Sequence, residues 1–439
     1  MKLGLARIRG LLRELDHPER QFQGALVAGT NGKGSVLALA GSALAQAGYR
    51  VGRTPKPHLV TYRERLAIGE RLVDPGTFAA LVEETLPAAE RVARRHGEIS
   101  EFEFLTAIAF LWFARERVDL ALVEVGLGGR LDATNAWDGG VAAVTNVDWD
   151  HMDRLGDSLE QIGREKAAII KRGNLAVSGA SGPGLTVVRR RCRRLGVPLT
   201  VVEPLPVLSV ERDGIVLGGS AAHPAGVRVG LRGRHQAANA AVALAILDAL
   251  ERRDIARVNA EDLEAGFASA TWPGRLERIE TRADGPAVRE LWLDGAHNAG
   301  GAAALVEALD ELRPFMASGP LTLVLGIMGD KDVPAVLAHL VRLVTQERDG
   351  AARIITTRVE DAPRAMPAER LAEHWREAEM ATGRSAHAVI ETPDPEAALR
   401  TALAEGGGGP IVVAGSLYLV GAVRARLVDD PRLRDPEDA

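Results

Sequence analysis

The chain has 439 residues, of which 46% are apolar, enough for two or three domains with cores of their own. Its net charge of -5 excludes an overall basic field of the kind that binds nucleic acid. No apolar run is long enough to cross a membrane, and the arginine-bearing N-terminus lacks the apolar region of a secretion signal. The single cysteine, Cys192, has no partner for an internal disulfide. We therefore expect a cytoplasmic monomer with no nucleic-acid or membrane partner.

The first motif is the glycine-rich stretch VAGTNGKGS at 27–35. An apolar run precedes it, and a segment predicted as a helix follows it. In this order, glycines let backbone N–H groups face an anion, Lys33 adds a positive charge, and the helix start adds its dipole. The strict P-loop spacing is not met, because Gly34 separates Lys33 from Ser35. A glycine-rich turn with a surface lysine is the alternative, which the flanking strand and helix disfavour.

A loop with two prolines, Pro55 and Pro57, follows the predicted phosphate site. The prolines exclude a regular helix there and predict a fixed loop, which could cover a substrate or be an ordinary connection. Two helices are predicted next, over 74–97 and 102–117, and the second is apolar enough to be buried.

Two predicted strands end in polar residues. One, at 120–125, carries Glu124; the other, at 141–147, leads into NVDWDHMD, where His151 lies among acids. All-apolar strands are typical of a parallel sheet covered on both faces, and such sheets bind ligands at the carboxyl ends of their strands. A lone histidine is more often structural, but this position favours a ligand. An acid at such a strand end suits a magnesium ion.

The rest of the first half predicts a helix at 158–170 carrying Lys166, which by itself suggests an ordinary solvated lysine. A basic helix at 187–195, a small β meander at 207–229 and an alanine-rich helix from 233 follow. The turn TWPG at 271–274 predicts a boundary between domains 1–271 and 272–439. Beyond it, strands and helices alternate again, with strands predicted at 291–293, 321–326, 352–356, 388–390 and 411–414. The tail from Asp429 is expected to be frayed.

Several motifs in order resemble the folylpolyglutamate synthase/dihydrofolate synthase family, a branch of the Mur-type ATP-dependent amide ligases. They are GTNGKGS from Gly29, PHL from Pro57, EVGLGGRLDATN from Glu124, DHMDRLG from Asp150, REKAAI from Arg164, GRHQAANAA from Gly233, WPGRLE from Trp272, DGAHN from Asp294 and GSLYLVG from Gly415. The resemblance implies an α/β fold. An N-terminal P-loop ATPase domain of the Mur-ligase type, with a small β subregion, would precede a Rossmann-like C-terminal domain.

The resemblance also implies a reaction. ATP, a co-substrate, phosphorylates a carboxylate of dihydropteroate or a folate, and the amine of L-glutamate attacks the acyl phosphate. One or two Mg²⁺ ions assist, because phosphoryl transfer depends on charge neutralisation. A second domain that closes over the first suits this chemistry, since water must be kept from the acyl phosphate.

The same resemblance assigns residues. ATP contacts fall on Gly29, Thr30, Asn31, Gly32, Lys33, Gly34, Ser35, Asn239, Arg275 and Asp294. Catalysis falls on Lys33, Lys166, His297 and Ser416, and the metal ligands are Glu124 and His151. Lys166 matches a lysine that can be carbamylated to face a second metal. Substrate-binding positions are Ser100, Glu101, Phe102, Glu103, Leu131, Asp132 and Ala133, with Phe102 as a stacking surface.

The sequence departs from the family in two places. Lys56 stands where the family usually has a serine that helps to bind magnesium, and an ammonium group cannot ligate a cation. Thr54 or a water could take over, or Lys56 could replace part of the metal's charge, in which case Lys56→Ser should lower the magnesium requirement. Ala299 replaces a proline, which should affect only loop stiffness.

Three alternatives stay open. The chain could add glutamate to folates only, without dihydropteroate activity. It could be a cell-wall ligase, which the short stretch before Val27 disfavours because those enzymes carry an extra N-terminal domain. It could be a catalytically silent nucleotide-binding relative, which Lys56 favours and the retained Lys33, Glu124 and His151 oppose.

Overall fold

The computed structural model describes residues 4–219, 226–282, 288–345, 352–359, 362–383, 387–405 and 407–435. In this part of the chain, the strands form an eight-stranded, a three-stranded and a six-stranded sheet. The two larger sheets are mainly parallel, which confirms the predicted α/β class. All strands of the six-stranded sheet lie after residue 271. The boundary between domains 1–271 and 272–439 stays a prediction.

The eight-stranded sheet has the order β4-β3-β2-β5-β1-β6-β7-β8. Its strands are β1 (Gln23–Ala28), β2 (Val51–Thr54), β3 (Ala67–Ile68), β4 (Arg71–Leu72), β5 (Leu120–Glu124), β6 (Gly140–Val144), β7 (Leu175–Ser178) and β8 (Leu199–Val201). Only the pairings of the short strand β3, with β2 and with β4, are antiparallel. β1 lies between β5 and β6 in parallel register. The glycine-rich stretch, Glu124 and the loop after β6 therefore leave the sheet side by side.

Both faces of this sheet are covered by helices. They are α1 (Ala6–Glu14), α2 (Lys33–Gln46), α3 (Pro75–His96), α4 (Glu101–Arg115), α5 (Met152–Leu155), α6 (Leu159–Ala167), α7 (Gly182–Leu195), α8 (Gln236–Arg252) and α9 (Ala260–Ser269). Along β1, Ala25 and Val27 pack in one core with α2 and α8, whereas Leu26 and Ala28 pack in the other with α1 and α4. Burial on both faces explains why the strand is apolar throughout.

The predicted meander is confirmed as an antiparallel sheet of β9 (Val207–Glu211), β10 (Gly214–Leu217) and β11 (Val227–Val229). Residues 220–225 of the predicted range lie outside the described part of the chain.

The six-stranded sheet has the order β12-β13-β17-β14-β15-β16. Its strands are β12 (Glu277–Thr281), β13 (Arg289–Leu293), β14 (Thr322–Leu325), β15 (Arg353–Thr357), β16 (Val389–Thr392) and β17 (Ile411–Ala414). Its helices are α10 (Ala299–Leu312), α11 (Val333–Thr345), α12 (Ala368–Met380), α13 (Pro395–Glu405) and α14 (Leu417–Leu427). β12 is an antiparallel edge strand that the sequence did not predict, because ERIET contains one apolar residue.

The carboxyl-terminal segment corrects one expectation. Residues 432–435 are held by the buried Arg63 rather than frayed, whereas residues 436–439 of the predicted tail lie outside the described part of the chain. The Arg63 guanidinium donates to the Asp435 carboxylate at 2.7 Å and to the carbonyl oxygens of Arg432 and Arg434, each at 2.8 Å. No helix in the described ranges is both long and apolar enough to cross a membrane.

Candidate active site

The predicted phosphate-binding stretch forms the turn between β1 and the first residue of α2. Gly32 precedes the helix with φ +82°, a left-handed conformation that favours glycine. A Cβ there would lie 2.1 Å from the side-chain oxygen of Asn239, so Asn239 packs directly against the loop. The first N–H groups of α2 have no partner within the helix and can donate to an anion.

The loop after β6 supports this turn. Asn146 accepts hydrogen bonds from the backbone N–H groups of Thr30 and Asn31 at 3.0 and 2.9 Å. Thr145 donates to the carbonyl oxygen of Asn31 at 2.6 Å. Because Asn146 occupies the N–H groups of Thr30 and Asn31, an anion has to bind at the N–H groups that follow them.

Lys33 lies at the centre of the charged cluster. Its Nζ donates to the carbonyl oxygens of Gly29 and Thr30, each at 3.0 Å. Burial lowers the pKa of Lys33, and the charges of Glu124 and Asp150 oppose this shift. The ammonium is therefore held inside the loop rather than at the surface, which corrects the alternative of a turn with a surface lysine.

Glu124 and His151 suit a divalent metal. The Glu124 carboxylate is buried and accepts the backbone N–H of Lys56 at 3.0 Å. Burial lowers the pKa of His151, so its ring is neutral and can act as a ligand. Within the described ranges, no cluster of three or more His, Cys, Asp or Glu residues could hold a metal. Magnesium commonly takes only one or two protein ligands beside phosphates and water, so one or two such side chains are enough for a magnesium site.

A lysine that follows β14 of the second sheet lies against Asp150 and His151. Lys331 Nζ donates to Asp150 at 2.7 Å and is 3.3 Å from Nε2 of His151. Although burial alone would raise the pKa of Asp150, the Lys331 charge holds it well below its usual range. The position next to His151 therefore accepts a cation in this structure.

The DGAHN turn after β13 brings the second sheet to the same place. Asn298 exchanges hydrogen bonds with Asn31 at 3.0 and 3.3 Å and donates to Asp150 at 3.2 Å. His297 Nε2 is 3.8 Å from Asp150, and burial lowers the pKa of His297 to about 4. His297 is consequently a neutral imidazole facing the first sheet's acidic loop.

The other predicted site residues near the second sheet bind or pack against backbone groups. Asp294 accepts the N–H groups of Leu276 and Ala296, each at 2.9 Å. Ser416 is buried and caps α14 by accepting the N–H of Tyr418 at 3.1 Å. Arg275 packs beside Gly295, where a Cβ would lie 2.6 Å from its guanidinium.

Lys166 is buried, which corrects the expectation of a solvated lysine. It lies on α6, whose backbone carbonyl groups pack against Gly129 of the EVGLGG loop. Burial, together with the nearby charge of Lys33, lowers the pKa of Lys166 to about 7. A large fraction of its amine is therefore uncharged at neutral pH.

The predicted substrate-binding residues divide into two groups. Phe102 and Asp132 meet at Gly126, where a Cβ would lie 3.0 Å from the Phe102 ring and 3.3 Å from an Asp132 oxygen. Ser100 and Glu103 form a capping box at the start of α4, and Glu103 also pairs with Arg7 at 3.0 Å. Their side chains are used in local structure.

Leu131, Ala133 and Glu101 flank these groups. Leu131 is half-buried beside Asp132, and Ala133 packs in the core. Glu101 is exposed and lies 3.8 Å from Arg65. None of the three shows a contact that assigns it a function.

A cavity of about 560 Å³ lies behind the phosphate-binding turn. It is bounded by α2, the 55–59 loop, the 269–273 connection and α14. Lys56 and Arg275 reach it, whereas Glu124, His151 and Lys166 do not line it. The cavity is large enough for a small organic molecule but is not the place where the charged groups converge.

Sequence reasoning missed Lys331, Asn146 and Asn298 as site residues. Lys331 lies in GIMGDKD, directly after a predicted strand of the second domain. A charged pair at the carboxyl end of a parallel strand was the available signal. The sequence does not specify which sheet edge Lys331 faces.

Comparison with known proteins gives consistent matches. Residues 277–427 match the family described as "Dihydrofolate synthetase, C-terminal domain". The chain is 32% identical to the dihydrofolate synthase/folylpolyglutamate synthase of Bacillus subtilis, over 97% of this chain and 95% of that protein. A Mycobacterium tuberculosis folylpolyglutamate synthase solved with ADP and AMPPCP superposes with a TM-score of 0.85, at 32% identity and with 98% and 96% of the chains covered. A bifunctional Yersinia pestis enzyme solved with AMPPNP and manganese gives 0.78, at 30% identity and with 97% and 94% covered.

Proposed function

From the premise that this chain belongs to the folylpolyglutamate synthase/dihydrofolate synthase family, we propose that it adds L-glutamate to both dihydropteroate and reduced folates. The chain is an ATP-dependent ligase of folate metabolism that uses a divalent metal. The observation that carries the assignment to this site is the meeting of Lys33, Glu124 and His151 with His297 and Lys331 from the second sheet.

Phosphoryl transfer at this site depends on neutralising the negative charge of the phosphates. Lys33 and the first N–H groups of α2 would hold the outer phosphates of ATP. Glu124 and His151 would hold Mg²⁺, which when bound neutralises charge on the phosphates. Lys331, which donates to Asp150, would add a second ammonium to the site. These groups favour attack by the acceptor carboxylate on the terminal phosphate.

The second half of the reaction needs protection from water. The Asn31–Asn298 and Asp150–Lys331 contacts close the two sheets over the site. The amine of L-glutamate then attacks the acyl phosphate in a site from which bulk water is excluded. His297, neutral and half-buried, is placed where the second sheet meets Asp150 and would orient the incoming amine.

Two finer assignments complete the proposal. The joint position of Phe102 and Asp132, in the region that resembles a pterin-binding site, favours dihydropteroate activity beside folate activity. Small molecules are the substrates, and we propose that the protein acts as a cytoplasmic monomer without nucleic-acid or membrane partners. Its net charge of -5 supports the first of these exclusions.

The test offers the purified protein ATP, Mg²⁺ and L-glutamate with dihydropteroate or tetrahydrofolate in parallel, and measures phosphate release and product mass. We expect release with both acceptors, matched by one added glutamate per phosphate. Release with tetrahydrofolate alone would support the narrower ligase. No release with either acceptor would favour the catalytically silent alternative.

A further inference from the structure

The backbone and the side chain of Lys56 lie in different parts of the site. Its N–H donates to Glu124 at 3.0 Å, at the end of the site that would hold the metal. Its Nζ instead ends 4.1 Å from the centroid of the Phe102 ring. The side chain thus leaves the metal ligands and enters the group formed by Phe102, Gly126 and Asp132.

The ammonium group has no hydrogen-bond acceptor in the described part of the chain. Its Nζ is buried, and the attraction of Phe102, Asp132 and Glu124 offsets only part of the cost of burying a charge. Three N–H donors of Lys56 are therefore available to a bound molecule.

Asp132 supplies charge to Lys56 but no hydrogen bond. One Asp132 oxygen accepts the N–H groups of Gly126 and Leu127, each at 3.0 Å. The other accepts the N–H and the hydroxyl of Thr134, at 3.0 and 2.5 Å. Because the loop itself saturates this carboxylate, the acceptor that Lys56 lacks has to come from outside the chain.

We propose that Lys56 binds the acceptor substrate, donating a hydrogen bond to an oxygen of a planar aromatic molecule that lies against Phe102. This inference rests on the proposed function and deepens it. The oxygen is either a ring carbonyl or an aryl carboxylate, since both chemistries offer a planar group with an acceptor at its edge. Lys56 is then a specificity residue for the acceptor and has no part in metal binding.

The test compares Lys56→Met, which keeps the length and removes the charge, with Lys56→Arg, which keeps the charge, and Lys56→Ser. We expect Lys56→Met and Lys56→Ser to raise the KM for the acceptor roughly 10- to 100-fold, the effect of losing a charged hydrogen bond. Lys56→Arg should recover part of this loss. The KM for ATP and the half-saturating Mg²⁺ concentration should stay within about two-fold of wild type.

Thermal stability distinguishes substrate binding by Lys56 from a purely structural role of this residue. Removing a buried ammonium without an acceptor should leave the melting temperature of Lys56→Met at or above that of wild type. Should Lys56→Met fail to fold, Lys56→Gln, which retains a donor without charge, takes its place in the same kinetic comparison.

Competition with 6-hydroxymethylpterin and with p-aminobenzoate, measured as inhibition of wild type and Lys56→Met, distinguishes the two oxygens. Weakened inhibition by the pterin alone assigns the ring carbonyl, and weakened inhibition by p-aminobenzoate alone assigns the aryl carboxylate. A change confined to the magnesium requirement, or unchanged kinetics in every variant, overturns the proposal. An inactive wild type would instead contradict the proposed function.

Discussion

Lys33 is the residue on which phosphoryl transfer should depend most. We expect Lys33→Met to lower kcat roughly 100- to 1000-fold, because a buried charge facing the phosphates is lost. Steady-state phosphate release with saturating acceptor measures the effect. Lys171→Met is the matched control, since Lys171 is also largely buried and also donates to a backbone carbonyl, that of Trp137, away from the phosphate-binding turn.

A normal kcat for Lys33→Met, or an equal loss for Lys171→Met, would contradict this role. The second result would show that removing any buried lysine disturbs the fold. Melting temperatures of both variants separate the two cases.

Lys166 should react with carbon dioxide. Burial lowers its pKa to about 7, so its amine is available as the nucleophile that forms a carbamate. We expect enzyme depleted of carbon dioxide to regain activity when bicarbonate is added, whereas Lys166→Arg should be inactive with or without it. Carbon-13 NMR with labelled bicarbonate should show a carbamate signal. Activity that is independent of bicarbonate, with no such signal, would exclude the modification.

The segment 430–435 fastens the end of the chain to the first sheet through Arg63. We expect Arg63→Met to lower the free energy of unfolding by roughly 1–3 kcal/mol, because the carbonyl oxygens of the buried Val73 and of the exposed Arg432 and Arg434 lose their donor. Urea denaturation measures it. Arg434→Ala is the control, since that side chain is exposed and pairs only with the exposed Asp429; its effect should stay within about 0.5 kcal/mol. Equal effects of the two variants would contradict this account.

Elements with strong local patterns were predictable from the sequence, and those that depend on distant partners were not. The apolar alternation of β1 between two cores and the glycine turn before α2 are local properties. The edge strand β12 and the segment held by Arg63 form only against distant residues, so their own composition gave no signal. Lys166 was misjudged for the same reason, because its burial depends on the loop that packs on α6.

For the site, too, local motifs were predictable and contacts between distant residues were not. Motifs placed Lys33, Glu124 and His151 at neighbouring strand ends of one sheet, and parallel register brings those ends together. The contact of Asp150 with Lys331 joins residues 181 positions apart on different sheets. Such contacts depend on how the sheets are placed, which strand patterns do not specify.

Across the whole molecule, acid should destabilise the fold. Burial, together with the charges of Arg65 and Arg275, lowers the pKa of His58 and of His235 to about 4. The unfolded chain binds these protons from about pH 6.5 downwards, so it binds more protons than the folded chain between pH 6.5 and 4. Stability should therefore fall as pH falls through this window.

Unfolding by urea at a series of pH values measures this loss. In the double variant His58→Gln/His235→Gln, the free energy of unfolding should fall less steeply with decreasing pH than in wild type. The difference in slope should correspond to up to about two bound protons. An identical pH dependence in both proteins would show that these histidines are not buried in the neutral form.

The central claim is that this site transfers phosphate from ATP to the acceptor's carboxylate, and an isotope measurement tests it most directly. Dihydropteroate labelled with heavy oxygen in its carboxylate is incubated with ATP, Mg²⁺ and L-glutamate, and the released phosphate is analysed by mass spectrometry. We expect one labelled oxygen in the phosphate for each amide formed, because the carboxylate oxygen that attacks ATP leaves with the phosphate. Amide formed together with unlabelled phosphate would contradict it.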